Sequence, residues 1–273
     1  MFDNITFSSR RTLLLLAVAA PAASVLLIRA YIMRDTSSYT SGRLSKRTTA
    51  QKTDRAISAP VSTLDLTPPL PQSFPSSVAA NDFADHIVWH ERVVSKPVLL
   101  SALVGREWDE QEVDEILTRY VRGTMCAFAK TPQSGLLWKM VPADVRLTFE
   151  KGYIDTMDFR QVGQRVDGVY TVQHRGAGPE GIHGQRVELR LDAPEGYTGP
   201  KSDGMIVASV EAAGGDATGL VVFANETWLW RRRDGEKPTL LESAVGRWLH
   251  SLMAAWLIRE GVSALQVNSV PVK

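Results

Sequence analysis

The chain is poor in cysteine, in net charge and in long hydrophobic runs. Its single cysteine, Cys126, excludes an intramolecular disulfide framework and a cysteine-rich zinc site. Its 31 Lys plus Arg nearly balance 30 Asp plus Glu, a net +1 that argues against a protein built chiefly to hold nucleic acid. It has one long apolar run only, which excludes a multi-span membrane protein. Gly-x-Ser-x-Gly, a Walker A loop and a dinucleotide fingerprint are all missing, so no cofactor is expected. What is present is an ordinary globular mixture, 44% hydrophobic and 22% charged, over 273 residues. The balance of charge hides a split. Residues 1–60 hold nine basic and three acidic residues; residues 61–273 hold 22 basic and 27 acidic.

The single apolar run, Thr12 to Ile28, is continued past Arg29 by residues 30–33. Seventeen residues fall just short of the roughly 30 Å hydrocarbon core, and the extension makes a span feasible. A single-pass anchor, a cleaved signal peptide and a mitochondrial targeting segment with an inner-membrane anchor all fit. The anchor, over residues 1–34, is the reading carried forward. The excess of Arg and Lys beyond the run then puts the C-terminal part in the cytosol or the mitochondrial matrix. Residues 35–81 follow as a linker. Ser, Thr and Pro fill 21 of positions 36–80, and no helical or strand period survives there, so a disordered tether is expected. Residues 82–273 form one globular domain, long enough for its own core.

Within that domain, His86 to Val94 reads as a strand. A short apolar helix is expected within Lys96 to Val104. Val113, Ile116, Leu117, Tyr120, Val121 and Thr124 recur at helical spacing and predict a helix over 110–129. Short strands are then expected at 145–150, 156–162, 167–174, 185–191, 204–212 and 219–231, separated by Gly- and Asp-rich turns. Leu241, Val245, Trp248, Leu252, Trp256 and Arg259 mark a long amphipathic final helix from about Leu240 to Glu260, with Gly261 as its stop.

The fold class is therefore α+β. The order of strand, two helices, six strands and a long helix resembles the START-like, or polyketide cyclase-like, superfamily. The segments Asp158 to Gly163, Asp167 to Tyr170 and Trp248 to His250 carry the resemblance. It implies a helix-grip: an antiparallel sheet wrapped around a long C-terminal helix, with an apolar cavity between them. It implies lipids, polyketides or other hydrophobic metabolites as ligands, and no particular reaction.

The strand Leu220 to Arg231 is apolar on both faces, which places Asn225 and Glu226 in apolar company. A carboxyl beside tryptophan has its pKa raised, as a general acid or base requires. Glu226, with Asn225 as a polar positioner, is the catalytic candidate. Trp228, Trp230, Tyr170 and His250 are the candidates for lining a ligand cavity. His250, like Arg247, is expected on the side of the last helix away from Trp248 and Leu252. His86, His90 and Glu91 do not match a zinc motif: on a strand, Glu91 points away from both imidazoles. No metal is expected. Three readings are weighed: a membrane-anchored module that binds a hydrophobic small molecule; a cyclase, isomerase or lyase of a polyketide- or terpenoid-like intermediate; and a non-catalytic assembly factor.

Overall fold

The computed structural model of the chain describes residues 27–44, 68–104, 110–179, 183–213 and 219–267. Among the described residues, eight strands build one antiparallel sheet. They are β1 (Thr36–Leu44), β2 (His86–Ser95), β3 (Val98–Leu99), β4 (Arg165–Val166), β5 (Tyr170–Ala177), β6 (Gly184–Leu191), β7 (Asp203–Ala212) and β8 (Leu220–Arg232). The order across the sheet is β1-β2-β8-β7-β6-β5-β4, with β3 pairing β8 beside β2. The helices are α1 (Ser76–Ala79), α2 (Leu100–Val104), α3 (Glu110–Phe128), α4 (Pro132–Met140), α5 (Lys151–Thr156) and α6 (Ala244–Val267).

Strand alternation gives the sheet two distinct faces. On the first face lie Val93, Val172, Val187, Leu189, Ala208, Val210, Val221 and Phe223, all buried. The two long helices cover this face. The α3 helix packs on β6 and β7, and α6 packs on β2, β8 and α3. The apolar spacing of α3 puts Val113, Ile116, Leu117, Tyr120 and Val121 fully inside. The second face carries a smaller cluster of Val88, Met205, Val207, Trp228 and Trp230, covered at one end by Leu70, Phe74, Val78 and Phe83.

The two long helices cross very closely. A Cβ on Gly123 would stand 2.8 Å from the Ala264 Cβ, and one on Gly261 would stand 2.5 Å from Thr124 Oγ1. Gly261 is therefore no helix stop. It lies inside α6, where the missing side chain lets the helices touch. The expected inward stripe of α6 also differs: Ser251, Ala254, Ala255 and Ile258 are buried, whereas Val245 is 68% exposed.

Two further expectations are corrected. The proposed strands at 145–150 and 156–162 are a 3₁₀ turn (Ala143–Phe149), the helix α5 and the loop after it. Pro142 has the φ of a helix start, and Lys151 pairs with Asp155 one turn along, both of which favour helix. The expected tether is ordered at both ends: residues 36–44 form the edge strand β1, and 68–80 pack on the second face. An edge strand is solvated on one side, so Ser and Thr suit it. Its middle, 45–67, lies outside the described residues.

The membrane anchor gains no support. Among the described residues no helix is long and apolar enough to cross a membrane. Most of the Thr12–Ile28 run lies outside them. Its end is seated on the domain: residues 27–33 are helical, Ile32 and Met33 pack against the core, and Tyr31 stacks under Arg259 at 4.2 Å.

Candidate functional site

The central strand β8 carries a different chemistry on each face. Neighbouring residues point to opposite sides. Asn225, Thr227 and Leu229 face the helices; Glu226, Trp228 and Trp230 face away from them. The side chains of the catalytic pair expected from the sequence are thus divided by the sheet: Asn225 bonds to Tyr120 on the helical face, and Glu226 to His90 and Arg92 on the other.

On the helical face, an apolar groove of about 380 Å³ opens between α4, β5, β7 and the start of α6. Leu136, Leu137, Met140, Tyr197, Leu229 and Leu240 line its outer part. Leu136 and Leu240 are more than half exposed at its rim. Five residues, Tyr170, Ile206, Thr227, His250 and Met253, line both this groove and an inner cavity of about 50 Å³. The inner cavity runs on between α3, β8 and α6 to Thr124, Phe128, Asn225 and Leu257. The groove is the size of a small-molecule site, mostly apolar, with a few convergent polar groups.

Those polar groups are held from behind. His250 stands on α6. Its Nδ1 lies 2.5 Å from Glu91 Oε1 on β2, and Glu91 is 1% exposed. The other carboxylate oxygen accepts from the Tyr39 hydroxyl of β1 at 3.1 Å. A carboxylate on Nδ1 fixes the ring's orientation and its tautomer, which commits Nε2 to whatever occupies the cavity. Asn225 is fixed in the same way. Its Oδ1 accepts from the Tyr120 hydroxyl of α3 at 2.9 Å, so Nδ2–H is the group left to donate. Burial pushes the Tyr120 and Tyr170 hydroxyls well above the ordinary phenol range, and both stay neutral.

The second face is ionic. Arg92 of β2 reaches Glu226 at 2.5 Å and Glu211 at 2.6 Å, and His90 Nε2 lies 2.9 Å from Glu226. The Trp228 indole N–H donates to the same carboxylate at 3.3 Å. Burial raises the Glu226 carboxyl, but the His90 hydrogen bond and the Arg92 charge outweigh it and hold it below the ordinary glutamate range. The sequence expectation was the reverse. Tryptophan is the neighbour of Glu226 along its own face of the strand, whereas Arg92, 134 positions away in sequence, sits opposite it across the β2–β8 ladder. Glu226 is an ionised structural carboxylate. Farther along the face, Arg186 pairs with Glu188 at 2.7 Å, and Glu188 also accepts from the Gln72 and Ser73 backbone.

No protein-family model, curated protein or solved structure matches the chain.

The six candidate residues therefore separate into two groups. Asn225, Tyr170 and His250 line the cavity. Glu226 belongs to the ionic cluster, and Trp228 and Trp230 pack against Phe74 at 5.5 and 5.1 Å on the second face. The sequence does not mark Thr227 as a lining residue, Glu91 as the partner of His250 or Tyr39 as the partner of Glu91. Alternation along β2 does put Glu91 on the face opposite His90, which is the one signal of its role. Nothing local to Tyr39 gives its role away. Among the described residues, no group of three or more His, Cys, Asp or Glu is placed to hold a metal ion. Cys126 is half-buried, and burial raises its thiol pKa, the opposite of an activated nucleophile.

Proposed function

We propose that the domain binds a hydrophobic small molecule, with a helix-grip arrangement as its frame. The observation that carries this reading is the continuous path from the exposed apolar groove to the inner cavity, through the five residues shared by both. Support for the frame comes from the strand order. The second strand, β2, pairs with the last strand, β8, and the long C-terminal helix lies on one face of the sheet. A chain of methylenes lies along the groove, and a single polar head reaches Thr227, His250 and Asn225. Burying each CH₂ contributes about 0.8 kcal/mol, which makes the length of the apolar part the main determinant of affinity.

Calorimetric titration of the full chain with dodecan-2-one tests the proposal. Saturable binding is expected, weakening as the alkyl chain is shortened. Ile206→Trp fills the neck between groove and cavity and abolishes binding while the folded circular dichroism is kept. Unchanged binding in that variant refutes the assignment of the site.

A further inference from the structure

Granted that reading, we infer that the cavity is also a proton-transfer site acting on an apolar substrate with a carbonyl group, with His250 as its base. Three observations meet in the inner cavity. The imidazole of His250 lines both groove and cavity, so it borders the space a ligand would fill. Its Nδ1 is held at 2.5 Å by Glu91, a carboxylate 1% exposed, whose second oxygen is itself hydrogen-bonded by Tyr39. Asn225, on the wall of the same inner cavity, has its Oδ1 occupied by Tyr120, which turns the amide N–H toward use as a donor. A base oriented by a buried carboxylate, beside a fixed donor in an apolar enclosure, is the set of parts that enolisation needs.

The step balances within the substrate and these residues. Nε2 of His250 takes a proton from the carbon next to the carbonyl. The C–H electron pair becomes the C=C bond of an enolate, and the carbonyl π pair moves onto oxygen, where the Asn225 Nδ2–H donates. Nε2–H then returns the proton to the same carbon, or to a conjugated carbon two atoms farther on, which moves a double bond. No oxidant, reductant or second substrate is consumed. His250 and Asn225 are the catalytic residues. Glu91 is a positioning residue that acts through His250.

The test uses dodec-4-en-2-one, whose double bond moves into conjugation and gains ultraviolet absorbance. Binding to the full chain is followed separately by saturation-transfer NMR. The wild type is expected to bind the ketone and convert it. His250→Gln is expected to lose about 10²–10⁴-fold in rate, and Asn225→Leu about 10²–10³-fold. Glu91→Gln lowers the rate at saturating ketone and leaves the half-saturating concentration unchanged, a split that loss of packing alone does not produce. Lys96→Gln, at an exposed position outside the groove and the cavity, converts the ketone at the wild-type rate. A ketone that binds without conversion above the His250→Gln rate overturns the inference and leaves the binding reading standing. A ketone that does not bind at all overturns both.

Discussion

Two glycine-to-alanine substitutions separate helix propensity from helix crossing. Gly135 lies in α4, exposed, and a Cβ there meets no atom within 4 Å. Gly135→Ala therefore gains the intrinsic preference alone and stabilises by about 1 kcal/mol. Gly261 lies inside α6, where the same preference applies. There, however, the new Cβ stands 2.5 Å from Thr124 Oγ1 and 2.6 and 2.7 Å from the Tyr120 ring. Overpacking of this kind costs about 1–3 kcal/mol. The upper end applies, because Tyr120 cannot swing away: its ring packs on Phe223 at 4.7 Å and its hydroxyl is bonded to Asn225. Offsetting about 3 by about 1 leaves Gly261→Ala destabilised by about 2 kcal/mol, and the two variants about 3 kcal/mol apart. Urea unfolding curves measure both, with slopes close to wild type if only the native packing has changed. If Gly261→Ala stabilises as much as Gly135→Ala, the close crossing of α3 and α6 is refuted.

Asp167 is fully buried, and neither carboxylate oxygen has a hydrogen-bond partner among the described residues. Burial holds its pKa well above the ordinary 3.8. Below that ordinary value both folded and unfolded chains are protonated here. Above it the unfolded chain ionises first, and the fold loses about 1.4 kcal/mol per pH unit until the raised folded pKa is passed. Asp167→Asn tolerates the same positive φ. It is expected to match wild type near pH 4 and exceed it in stability at pH 7 by urea unfolding; a less stable variant at pH 7 refutes the burial of a neutral acid. Arg92→Met strips Glu211 of its ion pair and leaves Glu226 with His90. It costs about 2–3 kcal/mol, below the full value for a buried pair because Arg92 keeps some solvent contact. Adding Glu211→Gln and Glu226→Gln recovers most of that loss in thermal unfolding, and a triple variant no more stable than the single one contradicts the account.

Much of the sheet was readable from local pattern. Arg186 to Leu191 alternates, and the boundaries of β2, β5, β6, β7, β8 and α3 fall within a few residues of those expected. What failed depended on partners far away in sequence. Thr36–Leu44 is polar and without an apolar period, and only its pairing with β2 makes it a strand. The α6 helix meets the sheet, α3 and β1, so its apolar residues do not form one stripe and the position of His250 is not evident from its period. Asn225 and Glu226 show the same limit at the site. Alternation tells that they part, and nothing local tells which of the two meets Arg92 and which meets Tyr120.

The pairing of β2 with β8 has a consequence for how the molecule is made. Arg92 and Glu226 are bonded across 134 positions of chain, and every other element of the sheet except β1 lies between them. Closure of so long a loop comes late, and sheets built on such contacts fold slowly. During synthesis β2 leaves the ribosome with its inner edge open, and that edge stays open until the final strand emerges. A chain released before Leu220 holds two separate ribbons, β1–β2 and β4–β7, each with an unpaired edge that invites pairing between molecules. The ionic face is completed by that same last strand, and the groove only by α6 after it, so a nascent chain gains its sheet and both of its chemistries at the very end of synthesis.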